Sequence, residues 1–344
     1  MQDRKIYPSL DIMKFIMAML ILTQHTCNEW AHSTGLVHDF FGLGNFAVPF
    51  FFACSGFLFF SKLYTLDEKG QKDYYRKWSV RIGKMYLVWS LIYFCFVFAR
   101  WHSEGLNWEQ PIKFIHRSIV YSTYATIWFL PALWIGVSLC YLMTKYLKFR
   151  YMFILNAVFL MVGGIFGSYN NIIINPSISS FYNWYMDIFI TWRNGLFNAS
   201  PYVFIGIMVV NGNNFSIKKN IFFTAIFSLA FLGEAFAISR NHFSTATDQG
   251  FMMAPAIFFM MNTLTMIKID KKKLWQHFRN WSMLIFLGQR LFLSAIPDVC
   301  PNNAAWIESL PQVEIFIYFI VIVLGFAIAI EQLSQKFKFL KLLW

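Results

Sequence analysis

Long apolar runs alternate with short stretches rich in Lys and Arg along almost the whole chain. A helix crossing the hydrocarbon core of a bilayer needs about 20 mainly apolar residues, with a range of roughly 17–25. On that measure the pattern predicts about ten transmembrane helices, near 8–27, 41–61, 83–101, 126–147, 152–168, 200–212, 220–238, 250–268, 281–297 and 312–332. The sixth is short, and it either begins earlier or is re-entrant. The expected fold class is all-α: a polytopic integral membrane protein with a single transmembrane domain over 1–344 and no appended soluble domain.

The first run breaks the apolar pattern in an informative way. Residues 10–25 read LDIMKFIMAMLILTQH, so Asp11, Lys14 and His25 sit inside a spanning stretch. Ionisable groups in a bilayer are costly, and a helix that keeps them generally uses them. Each helical residue adds about 100° of rotation and about 1.5 Å of rise. Lys14 and His25 therefore share a face, about 16 Å apart along the axis. Asp11 and Glu29 fall within about 60° of Lys14 on the same wheel. A carboxylate at i+4, as Glu29 is to His25, can fix the imidazole tautomer and leave the other ring nitrogen as a general base. A histidine hydrogen-bonded to a loop at the membrane edge is the plainer alternative. Lys14 either holds an anion such as a phosphate, or snorkels and pairs with Asp11 three residues earlier.

Composition agrees with the pattern. Of 344 residues, 58% are hydrophobic, 20% aromatic and only 13% charged, against about 25% charged in soluble domains. The formal net charge of +12 does not indicate nucleic acid, because the basic residues cluster in alternate loops. Of the 29 lysines and arginines, only Arg100, Lys113, Arg117, Arg193, Arg240 and Arg290 fall on the side away from the N-terminus. Basic loops stay inside, so both termini are expected in the cytoplasm, and the residual charge suits anionic lipid headgroups. Asp11 and Lys14 also argue against a cleavable signal. The five cysteines show no metal-type spacing, so no metal is expected.

Four further features carry candidate chemistry. Between Tyr74 and Lys84, Arg76, Lys77, Arg81 and Lys84 are interleaved with aromatics at the entrance to the third span; such groups suit a phosphate-bearing nucleotide or lipid headgroups equally. Ser55-Gly56 in the second span is either a site for close helix packing or, less directly, a nucleophile. Trp128 opens the fourth span as a belt aromatic or as a pocket wall. Arg193 precedes the sixth span as a substrate contact or a helix cap. The two long outer loops, near 102–125 and 169–199, suit interfacial helices or a cover over a cavity.

Together these residues resemble the acyltransferase-3 family of bacterial inner-membrane acyltransferases. The resemblance runs through Leu10, Asp11, Lys14 and His25 in the first span; Pro49 to Phe57, a PFFF-x-x-SGF pattern, in the second; Arg76 and Arg81 entering the third; Trp128-Phe129-Leu130 in the fourth; and Tyr202 to Gly206. Lys14 stands where many members carry Arg. Phe286 and Gln289 stand where many carry Tyr and a second His, so only His25 is expected as a catalytic histidine. The resemblance implies transfer of an acyl group, usually acetyl from acetyl-CoA, to a hydroxyl of a cell-surface glycan or lipid-linked sugar at the inner membrane. It makes His25 the essential residue, with direct transfer and an acyl-enzyme both open. In that scheme Lys14, Arg76 and Arg81 would hold the CoA phosphates and the pantetheine arm would run along the first helix to His25.

A transporter or flippase for a glycan or lipid-linked sugar is the competing class, with His25 and Glu29 as a proton relay. An accessory scaffold is the third. Lipids are expected partners in every case, and a homo-oligomer is compatible with all three.

Overall fold

A computed structural model describes residues 7–31, 42–212, 215–244, 249–270 and 272–344. Arg4, Lys5 and Lys271 of the charge pattern lie outside the described residues. Secondary structure among those described is helical throughout, and the chain divides into two compact units. The first comprises residues 1–47, 83–127 and 268–344, the second 48–82 and 128–267. Eight of the described helices are long and apolar enough to cross a membrane. The chain is thus an all-α polytopic membrane protein.

In the first unit, α1 (Pro8–Thr26) starts on a proline, whose missing N–H costs nothing at a helix N-terminus. It buries Leu10, Met17, Ala18, Ile21 and Leu22. Its main neighbour later in the chain is the helix Lys273–Arg290, joined by the short turn Gly42–Phe46 and the helix Gln312–Lys336. Near its start Phe15 stacks on Phe278 with ring centroids 4.5 Å apart. The helix Gln312–Lys336 buries Ile315, Phe319, Val323 and Ala327, one residue every four. It exposes Val313, Ile317 and Val321 on another face. Being apolar on both the packed and the exposed face, it is suited to lipid rather than water.

The third apolar run becomes α3 (Glu68–Glu104), after α2 (Ala47–Leu63). At 37 residues α3 extends well beyond the expected span, because the basic segment before it is helical too. Its residues through Ile82 belong to the second unit and those from Gly83 to the first. The first long loop contains α4 (Glu109–Val120), which exposes Ile112, Ile115 and Ile119 and packs Phe114 against Phe94 and Trp101.

The second unit continues with α5 (Phe129–Tyr146), α6 (Phe149–Ser168), α7 (Pro176–Phe189), α8 (Ser200–Val210), α9 (Ile217–Arg240) and α10 (Met253–Met266). Nearly every residue of α8 is buried. Gly56 on α2 faces the Val203 backbone, and Gly206 on α8 faces the backbone of Ala53 and Phe57, so a Cβ at either glycine would strike main-chain atoms. The Ser-Gly step therefore serves close helix packing.

Two of the ten expected spans fall short of full length. The sixth begins earlier than expected, at Gly195, and ends at Val210; the eighth shrinks to Met253–Met266. At 1.5 Å per residue, 14 residues rise about 21 Å, against about 30 Å of hydrocarbon. The start of α10 is fixed from outside by Glu234 on α9. Its carboxylate accepts the backbone N–H groups of Phe251 and Met252 at 2.7 and 2.8 Å, and the Tyr169 hydroxyl at 2.6 Å.

The first unit closes with α11 (Lys273–Arg290), α12 (Pro301–Glu308) and α13 (Gln312–Lys336). Glu331 of α13 accepts from Asn280 Nδ2 at 2.5 Å and meets His277 Nδ1 at 2.8 Å, tying α11 to α13. All five cysteines are free thiols.

Candidate active site

α1 is continuous through Thr26, so Lys14 and His25 keep their eleven-residue α-helical spacing. Lys14 Nζ lies 3.2 Å from Asp11 Oδ1, and both side chains are largely buried, 13% and 6% exposed. This pair is held by the helix itself, one turn apart.

At the other end of α1 the geometry departs from the wheel. The helix widens into a π-helical turn, Cys27–Ala31. A π turn bonds i to i+5, so Glu29 no longer sits where an α-helix would put it relative to His25. Glu29 instead receives Arg290, whose Nη1 reaches both carboxylate oxygens. The expected Glu29–imidazole bond is thereby corrected. The group bonded to His25 Nδ1 is the Gln289 side-chain oxygen, at 3.1 Å. Gln289 is fully buried, and its amide nitrogen donates to the Phe286 carbonyl at 3.0 Å.

α11 ends as α1 does, in a π-helical turn, Leu291–Ala295. The two wide turns are joined, since Trp30 Nε1 donates to the Leu293 carbonyl at 2.9 Å. Ser294 hydrogen-bonds the Tyr124 hydroxyl at 3.0 Å, and Tyr124 stacks on Tyr93 at 4.3 Å. Burial raises Tyr124 above the ordinary phenol range, so it stays a neutral hydrogen-bond partner. π turns of this kind recur at functional sites. His25, Glu29, Gln289 and Arg290 thus meet where two such turns face each other. Arg290 Nε is buried with no hydrogen-bond partner among the described residues.

The remaining candidates lie in the second unit. Trp128 is buried beside Phe52, and the Arg193 guanidinium sits 5.0 Å from its ring centroid. Arg193 is positioned locally. Its N–H donates to Thr191 Oγ1 at 3.0 Å, and the next residue, Asn194, caps a third π-helical turn, Gly195–Ala199. The structure thus brings Trp128 and Arg193 together. Ser55 is half-buried on α2. Arg76 and Arg81 are exposed on α3, Arg76 lying 4.0 Å from Asp73. Their helix is seated by Tyr74 and Trp78 on Phe59 and by Tyr75 on Tyr141. The aromatics pack inward and the basic residues point away. Among the described residues no group of three or more His, Cys, Asp or Glu is arranged to hold a metal ion.

A family model described as an acyltransferase domain, of the acyltransferase-3 type, matches residues 7–331. The chain belongs to the acyltransferase-3 family. The acyltransferase-3 match takes in both units of this multi-pass membrane protein. Among curated proteins, the chain is similar to an amino-acid racemase of Enterococcus faecalis, 25% identical over 77% of this chain and 36% of that protein. It is also similar to a serine/alanine racemase of Enterococcus gallinarum, 22% identical over 86% of this chain and 43% of that protein. The chain therefore spans less than half the length of these relatives. No solved structure matches.

Two residues of this candidate site escaped the sequence. Gln289 stood out only as a departure from the family pattern, and Arg290 only as a charge on the sparsely charged side. The cost argument that singled out His25 applies equally to Arg290 at the end of an apolar run.

Proposed function

We propose that this chain is an O-acyltransferase that moves an acyl group, acetyl in the first instance, from acyl-CoA to a hydroxyl, with His25 as the general base. The observation that supports this most is the setting of His25. It sits on the one helix that also carries the buried Lys14–Asp11 pair, and its Nδ1 is hydrogen-bonded while the ring remains half-buried rather than sealed. His25 takes the proton of the acceptor hydroxyl as that oxygen attacks the thioester carbonyl carbon. The C–S bond breaks, and the CoA thiolate leaves and takes the proton from the imidazolium. Lys14 is the candidate grip on the donor's phosphates within the first unit. The exposed Arg76 and Arg81 are a second basic group suited to the same chemistry. Trp128 and Arg193 are the candidate acceptor contacts, since an aromatic face beside a guanidinium suits a sugar. Ser55, next to the Gly56 packing contact, has a supporting role in the helix pair.

The charge bias supports placing both termini in the cytoplasm, with donor entry from that side of a bacterial inner membrane. A glycan or lipid-linked sugar is the acceptor class we favour. The relatives' names refer to amino acids, and serine also carries a hydroxyl, so L-serine belongs in the acceptor panel. The racemase activity itself is not carried over, because the matched part is under half of each relative.

The test is purified protein in liposomes with labelled acetyl-CoA, lipid-linked sugars, glycan and L-serine. Label should pass to one acceptor, with release of free CoA, and H25A should abolish it. Undiminished transfer by H25A would sink the assignment. Flux of an unmodified substrate with no CoA dependence would support the transporter reading instead.

A further inference from the structure

We infer that Gln289 is a positioning residue for His25: it fixes the imidazole as the Nδ1–H tautomer and thereby makes Nε2 the atom that receives the acceptor's proton. The inference rests on the acyl-transfer reading of His25. Its basis is a short chain of hydrogen bonds whose direction chemistry decides.

The Gln289 side chain offers one acceptor, Oε1, and one donor, the Nε2 amide. Oxygen and nitrogen of such an amide are told apart by their partners. Here one end of the amide lies 3.0 Å from the Phe286 carbonyl oxygen. Two oxygens at that distance would repel, so the end facing Phe286 is the NH2. The end facing His25, 3.1 Å from Nδ1, is then Oε1, which can only accept. The proton in that bond must therefore lie on Nδ1. In the neutral imidazole, Nε2 is left with the lone pair.

The arrangement has no freedom to reverse. Gln289 is fully buried, so turning its amide over would bury its oxygen against the Phe286 carbonyl oxygen with no donor between them, an expensive mismatch. The Phe286 carbonyl is one turn back on the same helix, so α11 itself holds the amide. Glu29, the carboxylate nearest in sequence, is engaged by Arg290. The Nδ1 proton is therefore held by a neutral group on another helix, 264 residues away. This also accounts for the family difference at position 289. A histidine there could accept through one ring nitrogen only in a suitable tautomer of its own, whereas the Gln amide needs no such condition.

Three variants and one measurement on the unaltered protein test the inference. Q289L removes the acceptor at similar size. It should lower kcat about ten- to a hundredfold, with the acyl-CoA KM little changed. Q289E restores an acceptor but adds charge. It should regain much of the rate, with the acid limb of the pH–rate profile moved to higher pH, because a carboxylate favours the imidazolium. A purely structural Gln289 would show no such recovery of rate from Q289L to Q289E. Magic-angle-spinning NMR of the 15N-histidine-labelled protein, with the His25 signals identified by their loss in H25A, reads the tautomer directly even where Q289L or Q289E fails to fold. Protonated-type Nδ1 and unprotonated-type Nε2 signals are expected. The opposite tautomer, or folded Q289L with wild-type kcat and pH profile, overturns the inference. So does a folded Q289E as slow as Q289L. H25A separates the two levels: transfer surviving in H25A defeats the acyl-transfer reading, while transfer lost in H25A but untouched in Q289L defeats only the role of Gln289.

Discussion

Arg290 reaches back across the sequence to Glu29, meeting both carboxylate oxygens with one guanidinium nitrogen, and so joins the last residue of α11 to the turn that follows His25. The side chains are 15% and 31% exposed. That is dry enough for the attraction to count and for a lone partner to be costly.

Breaking this pair should therefore loosen the His25 end of the first unit. E29Q leaves Arg290 without its counter-ion and is expected to cost about 1–3 kcal/mol, read as a lower melting temperature in detergent. The exchange E29R/R290E should recover part of the loss. Equal melting for E29Q and wild type would show that the pair contributes no stability.

The glycine contact between α2 and α8 makes a sharper prediction. Gly56 and Gly206 each face the other helix's backbone, which has no flexible end to move aside. G56A and G206A should each destabilise by at least about 1–3 kcal/mol, the range for overpacked cores. Ser55 beside them tolerates alanine better, because its side chain is only half-buried. Thermal unfolding of the three variants checks the order.

The Lys14–Asp11 pair should govern donor binding. K14A is expected to raise the acyl-CoA KM about tenfold or more, with kcat less affected, as a lost charge-assisted contact would do. K14R keeps the charge and should stay near wild type. A K14A variant with unchanged KM would leave Lys14 as a partner of Asp11 alone and turn attention to Arg76 and Arg81.

Arg193 over Trp128 should act on the acceptor side. R193A and W128A are each expected to raise the acceptor KM, leaving that of acyl-CoA alone. A cation–π contact of this kind is worth roughly 0.5–2 kcal/mol, so the rise should be from about twofold to thirtyfold. An effect on the donor KM instead would move both residues out of the acceptor site.

Much of the helical plan was legible because it depends on local composition. Apolar runs, the proline at the start of α1 and the basic stretch before α3 all act within a few residues of themselves. The Lys14–Asp11 pair was legible for the same reason, being one turn of one helix. What could not be read depends on distant chain. Nothing near Met253 announces that α10 starts there; Glu234 decides it from the preceding helix. His25 finds Gln289, and Glu29 finds Arg290, only once α1 and α11 lie together. The expected Glu29–His25 bond failed for a local reason that composition conceals: the sequence CNEWA gives no cue that the helix widens there.

That widening has a consequence for how this chain can change over generations. Where the ladder runs i to i+5, the helix holds one residue more than an α-turn would, so Cys27–Ala31 and Leu291–Ala295 behave like two small insertions facing each other. The Trp30 indole and the Leu293 carbonyl couple them. Losing a residue ahead of Trp30 or Leu293 within its turn would swing the rest of that turn by about 100° and tear Trp30 from its carbonyl. Such a deletion is expected to be tolerated only alongside a matching deletion in the partner turn. Length at these two places should therefore drift in step, or not at all.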